Sequence, residues 1–248
     1  MTFNIDPRSE SVENDVPSSP DRVNARLEQL AAGSRRSFLG RGVAGAVGVA
    51  GALAAAPSAE AQGVSRIPSL YPGSTARFFR QIQADEASHV NIIVTAIRSL
   101  GGTPRPFPTF QNIQGLSAAT FLQTAVAFEN TGVGAYYGAA PYIQNPAVVN
   151  VALSIALTEA YHTGFLNSTA NNSSLIPNGL TYVTPLTIAQ VTAAVTPYIA
   201  SLNDNGQFPA TFSTTPSAAN DIAILNFALI AEYLEAAFYF YNVPRLFA

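Results

Sequence analysis

Both histidines of this 248-residue chain stand three residues after a glutamate, as Glu86 with His89 and Glu159 with His162. Glutamate fills nine positions, so each coincidence has a probability of about 0.04 and the two together about one in a thousand. On a helix, residues three apart share a face, so each pair would aim a carboxylate and an imidazole in one direction. Two further glutamates, Glu129 and Glu232, each interrupt an apolar stripe, where a carboxylate is costly to bury unless something pairs with it. Four carboxylates and two imidazoles are the ligand set of a dinuclear metal site. Carboxylates bridge and neutralise two divalent ions, imidazole completes each coordination sphere, and open positions remain for dioxygen or peroxide, which suits iron or manganese. The charges sum to zero, which removes most of the burial penalty. On this reading His89 and His162 each hold one ion, and Glu129 or Glu232 bridges the ions or ligates one of them. The spacing leaves open which glutamate bridges.

Around this set stand residues with less certain duties. Of the five glutamates after Gln62, only Glu235 falls off the seams, one turn beyond Glu232, where it could support a ligand, act as an extra ligand or face solvent. Tyr136, Tyr161 and Tyr233 are candidate hydrogen-bonding or redox neighbours, although aromatic residues of bundle helices usually serve packing. Asp85 lies about 100° around a helix from Glu86 and is expected on the surface.

Four stretches carry the periodicity that would position the six ligands. The first runs through Phe79, Ile82, Glu86, His89, Ile93, Ala96 and Leu100, in steps of three and four. The second opens at Ser117 as an N-cap, passes Leu122, Ala125, Glu129, Gly132 and Tyr136, and stops at Pro141. The third starts near Pro146 and passes Ala152, Ile155, Glu159, His162 and Leu166. The fourth reads Ile222, Leu225, Leu229, Glu232, Ala236 and Tyr239 and ends before Pro244. Each is roughly 20 residues, about 30 Å, so the expected fold is all-α, an antiparallel four-helix bundle. Between the third and fourth stretches the chain predicts a long loop from Asn171 to Thr184, a short accessory helix within Thr187 to Leu202, and a second loop from Asn203 to Ser217.

Composition narrows the function classes. Charged residues are only 11% of the chain, the net charge is −3, and every basic residue is arginine, so no basic face is available to a phosphate backbone and nucleic-acid binding is not expected. Cysteine is absent, which removes disulfides, thiolate nucleophiles and iron–sulfur clusters.

The N-terminus reads as an address. Ser34 to Leu39 spell SRRSFL before a Gly/Ala/Val run from Gly42 to Ala56, which resembles a twin-arginine export signal, and Ala59, Glu60 and Ala61 supply a cleavage pattern before Gln62. Residues 1–61 are therefore expected to be removed, leaving 62–248 as one domain with no stable membrane span, in the periplasm, the envelope or outside the cell. The resemblance implies export in the folded state, which favours a metal inserted beforehand.

The segments QADEASHV, FENTGVGAYYGAAPYI, ALTEAYHTGFL and TPLTIAQVTAAVTPYI, spread over residues 78–202, resemble the ferritin-like domain family that includes desiccation-related proteins. The stretch IAILNFALIAEYLEAAFYF, residues 222–240, is similar to that family's first helix, yet here it comes last. The resemblance therefore implies a circular permutation, with the family's first helix at the C-terminus. By motif it makes Glu232 the first-helix ligand, Glu86 and His89 those of the second, Glu129 that of the third, and Glu159 and His162 those of the fourth. The long segment before the last helix would also let that helix reach a neighbouring copy, giving a homo-oligomer or filament by helix exchange.

Three function classes follow from these readings. The first is a redox enzyme using two iron or manganese ions for ferroxidase-like or catalase-like protection. The second is a metal-binding protein without turnover. The third is a structural or self-assembling envelope protein that uses the bundle as scaffold.

Overall fold

The structure, a computed structural model, describes residues 73–171, 183–204 and 212–247. The proposed signal and its cleavage point, residues 1–62, lie outside the described residues, as does most of the loop expected from Asn171 to Thr184.

Four long helices make up the bundle: α1 Ser74–Ser99, α2 Ala118–Ala139, α3 Pro146–Asn171 and α5 Ala218–Leu246. Local chemistry sets most of their starts. The Ser117 and Ser217 hydroxyls accept from the amides of Thr120 and Asn220, each at 3.1 Å, satisfying amide donors that the first turn leaves orphaned. Pro146 opens α3, where a missing N–H costs nothing. The fourth stripe was expected to end before Pro244, but α5 continues through it to Leu246. So close to the C-terminus a proline deprives only one carbonyl of a helical partner, and the Phe247 amide still reaches the Val243 carbonyl at 3.0 Å.

Helix α1 packs most extensively against α5, and α2 against α3. Aromatic contacts give the directions: Phe79 near the start of α1 stacks on Phe247 just past the end of α5, with ring centroids 4.6 Å apart, and meets Phe165 near the end of α3 at 5.4 Å. Both neighbours of α1 thus run antiparallel to it. Only the α2–α3 hairpin is short, and the links α1 to α2 and α3 to α5 cross the length of the bundle. In this structure α5 closes the bundle of its own chain. Although α5 is long and apolar enough to span a membrane, most of that apolar stretch is buried among the other helices.

Among the described residues, the crossovers hold a departure from an all-helical fold. The accessory helix α4 is shorter than expected, Ile188–Val195, because Pro197 diverts the chain into a 3₁₀ turn, Thr196–Tyr198. Strand β2 (Ile199–Ser201) follows and pairs antiparallel with β1 (Thr109–Phe110) of the first crossover. Helix α4 begins with a capping box between Thr187 and Gln190. The segment before it lies directly on α2, where Gly134 and Gly138 clear the way: a Cβ on Gly138 would sit 1.9 Å from the Leu186 carbonyl oxygen. The Leu186 amide donates to the Gly134 carbonyl at 2.9 Å.

Candidate metal centre

Each long helix brings its seam glutamate to one level of the bundle. Glu86, Glu129 and Glu159 are fully buried, and Glu232, His89 and His162 nearly so. Two groups of potential ligands result, Glu86, His89, Glu159 and Glu232 in one and Glu86, Glu129, Glu159 and His162 in the other, with the atoms of each group within 4.8 Å of one another. The groups share Glu86 and Glu159. All six residues singled out from spacing therefore meet in one cluster, and the two imidazole rings face each other with centroids 6.2 Å apart.

The distances describe donors converging on points. His89 Nδ1 lies 3.1 Å from Glu86 Oε2, 3.1 Å from Glu159 Oε1 and 3.3 Å from Glu232 Oε2. His162 Nδ1 lies 3.0 Å from both Glu86 Oε1 and Glu129 Oε2. One ring nitrogen cannot serve so many carboxylates by hydrogen bonding, and Glu86 Oε1, both oxygens of Glu159 and Glu232 Oε2 are buried without a hydrogen bond. Cations at the two points would satisfy these oxygens. Bonds of about 2.1 Å place adjacent ligand atoms about 3 Å apart, which is the spacing found here. The residues present fit a pair of metal ions.

The electrostatics agree. Burial raises Glu86, but the imidazoles of His89 and His162 outweigh it and hold its carboxyl down at about 2. Burial alone would lower both histidines. Instead Glu86 and Glu232 around His89, and Glu129 and Asp85 around His162, raise the rings well above the usual imidazole range. Burial raises Glu159 strongly and Glu232 to a lesser degree, with the charge of Glu86 adding to both. Protons on the imidazoles thus offset the charge of the carboxylates around them.

Neighbouring groups orient the ligands. Tyr136 on α2 donates to Glu232 Oε1 on α5, and Tyr239 on α5 donates to Glu129 Oε1 on α2 at 2.5 Å. Burial and the adjacent carboxylates push both phenols well above their ordinary value, so both remain donors. Of the three tyrosines considered, only Tyr136 reaches the cluster. Tyr161 is 77% exposed, and Tyr233 turns to the first crossover, where its hydroxyl points at the Arg105 carbonyl at 3.4 Å. Tyr239 was missed as a partner, although it stands seven residues after Glu232 just as Tyr136 stands seven after Glu129.

Asp85, expected on the surface, is partly exposed there and also reaches the cluster. Its Oδ2 lies 3.3 Å from His162 Nε2, and its Oδ1 accepts from Gln81 at 2.7 Å. A proton held on Nε2 by Asp85 leaves Nδ1 free to face the glutamates. Asp85 and His162 also border an open depression of about 540 Å³ between α1 and α3, which brings solvent to that side of the cluster. Glu235 is buried, 4% exposed, so of its possible positions the solvent-facing one is excluded. It belongs to neither ligand group.

A four-helix bundle whose core holds four glutamates and two Glu-x-x-His histidines defines the ferritin-like class. The family model of the ferritin-like domain matches residues 38–172, more than half of the chain, and the chain belongs to that family. No curated protein and no solved structure matches the chain.

Proposed function

We propose that this protein is an exported ferritin-like protein that holds two iron or manganese ions and protects against oxidative or metal stress by redox chemistry at them. The observation that carries the reading is the pair of overlapping ligand groups sharing Glu86 and Glu159. Glu86 and Glu159 would bridge, His89 with Glu232 would complete one site, and His162 with Glu129 the other. When bound, such ions exchange electrons with dioxygen or peroxide.

The chain's own groups supply the rest. Tyr136 and Tyr239 hold the outer oxygens of Glu232 and Glu129, so each carboxylate turns its second oxygen inward. Asp85 fixes the His162 ring. At one end of the bundle, Phe79 on Phe247 and Phe121 on Phe238, the latter at 5.0 Å, exclude water. Access falls to the depression beside His162, the side on which solvent comes nearest the cluster.

The permuted order draws support from the fold. Helix α5 packs on α1 as a first helix would pack on a second. The twin-arginine motif supports export with the ions already seated.

Elemental analysis of the protein purified from its own envelope fraction tests the reading, beside a variant carrying His89→Ala and His162→Ala. Two iron or manganese per chain, lost in the variant, together with oxygen release from peroxide or oxidation of ferrous iron, is the expected result. Stoichiometric metal without turnover would make it a binding protein. No metal in either protein would leave a scaffold.

A further inference from the structure

Beside the centre, away from the phenylalanine plug, the bundle contains a cavity of about 390 Å³. It exists because small side chains face one another there. Helix α2 presents Gly132, Ala135 and Ala139, and α5 presents Ala228 and Ala231, where other layers of the same helices carry Phe121, Phe128, Leu229 and Phe238. The outer wall is Leu186 and Ile188, seated on α2 by the close approach at Gly134 and Gly138. The volume falls in the range of small-molecule sites, and the lining is mostly apolar, with Thr187 and Thr214 among it. At its inner end Tyr136, Glu232 and Glu235 meet the cavity, with Glu232 Oε1 already bonded to the Tyr136 hydroxyl.

We propose that this cavity binds a neutral, elongated apolar molecule whose one polar end meets Glu232 and Glu235. The walls select the apolar body, since the two threonines among them offer a charge far less than its hydration shell. The inner end selects against an anion, because a carboxylate entering there would lose its hydration beside the buried carboxyls of Glu232 and Glu235. A cationic end is disfavoured in turn by the cost of desolvating it on entry between apolar walls. A neutral end such as an alcohol remains, able to hydrogen-bond the Glu235 carboxyl. Burial and the charges of Glu232 and Glu86 raise Glu235 well above the usual carboxylate range, which keeps that end of the cavity compatible with a neutral partner. The inference deepens the metal reading and rests on it for any reactivity, because a molecule seated here has its inner end at a ligand of the centre. Its binding does not depend on that reading.

The test is isothermal titration of the full chain, metal-loaded and metal-stripped, with 1-decanol and with decanoate, and metal content measured on the same samples. Saturable binding of one decanol per chain is expected, with decanoate at least tenfold weaker. Ala231→Phe and Ala228→Phe fill the cavity and should each weaken decanol binding at least tenfold with metal content unchanged. Should either variant fail to fold, a decanol-dependent rise in the melting temperature of the unaltered protein, absent with decanoate, carries the same information. Non-saturable decanol binding, equal binding of decanoate, or undiminished binding by a folded Phe variant would overturn the proposal. Decanol binding by protein that never holds metal would uphold the cavity and overturn the metal centre, whereas metal without decanol binding would overturn the cavity alone.

Discussion

Tyr239 on α5 donates a 2.5 Å hydrogen bond to Glu129 on α2, and the relationship is returned by Tyr136 of α2, which donates to Glu232 of α5. Both tyrosines stand seven residues after the glutamate of their own helix. Because the two helices are antiparallel, equal spacings cross over, and each helix steadies the carboxylate of the other. The centre thereby acquires an approximate twofold arrangement, with Glu86–His89 and Glu159–His162 as its other halves.

Removing one tyrosine hydroxyl leaves a buried carboxylate oxygen without its donor. Tyr136→Phe and Tyr239→Phe should each cost about 1–3 kcal/mol in denaturant unfolding of the metal-free protein. The two losses should add within about 0.5 kcal/mol, since the hydroxyls serve different carboxylates. A large coupling in the double variant would show that they act through one shared group.

Shared and unshared ligands should separate by stoichiometry. Glu86→Gln and Glu159→Gln touch both metal positions and should reduce bound metal from two per chain to less than one. Glu129→Gln and Glu232→Gln touch one position each and should leave about one. Elemental analysis of the four variants distinguishes this pattern from a single mononuclear site, for which Glu129→Gln or Glu232→Gln would have no effect.

The pH dependence has a definite sign. His89, His162, Glu159, Glu232 and Glu235 all have raised values in the folded metal-free protein, so the native state holds protons that the unfolded chain has released. Their stabilising contribution is complete below the ordinary values of 4.5 for the carboxyls and 6.5 for the imidazoles, and is lost as pH rises through the folded values. Glu86 behaves oppositely: its contribution is present above 4.5 and disappears as pH falls toward about 2. Metal-free protein should therefore lose stability between pH 5 and pH 8 in urea titrations. Metal affinity should rise over the same interval, because ions and protons compete for the same atoms.

Asp85 offers a test away from direct ligation. Asp85→Asn keeps the shape but weakens the hold on His162 Nε2, and metal affinity should fall about 10–100-fold with helix content unchanged. Asp85→Glu, which can restore the carboxylate, should recover part of it. Equal affinity in all three proteins would assign Asp85 to the surface after all.

Gly138→Ala probes the wall of the cavity. Its Cβ would collide with the Leu186 carbonyl, which is backbone and cannot swing aside. The 184–187 segment must move, at a cost of about 1–3 kcal/mol, while the ligands keep their places. A lowered melting temperature with two ions still bound is expected.

Much of this was legible from the chain because the required residues are rare. Two histidines and five glutamates after Gln62 leave few ways to build a ligand set, and helical periodicity put four of those glutamates on apolar seams. Burial then demanded a partner for each. The Ser117 cap and the Pro146 start were equally local, since a hydroxyl or a ring acts within one turn.

What the chain could not reveal depends on pairs of helices meeting. The sharing of Glu86 and Glu159, the crossed tyrosine bonds, the approach of Asp85 to His162 and the burial of Glu235 are fixed by helix rotation and offset, which periodicity defines only to within about a residue. The β1–β2 ladder joins segments some 90 residues apart and has no local signal beyond Pro197 ending a helix. The cavity is further still from the sequence: Gly132, Ala135, Ala228 and Ala231 look like ordinary small residues until two antiparallel helices set them opposite one another. Sequence alone determined which atoms could bind metal, because that is a property of side-chain type and helical phase. Tertiary structure decided how those atoms are shared and what lies beside them, because both are properties of the space between helices.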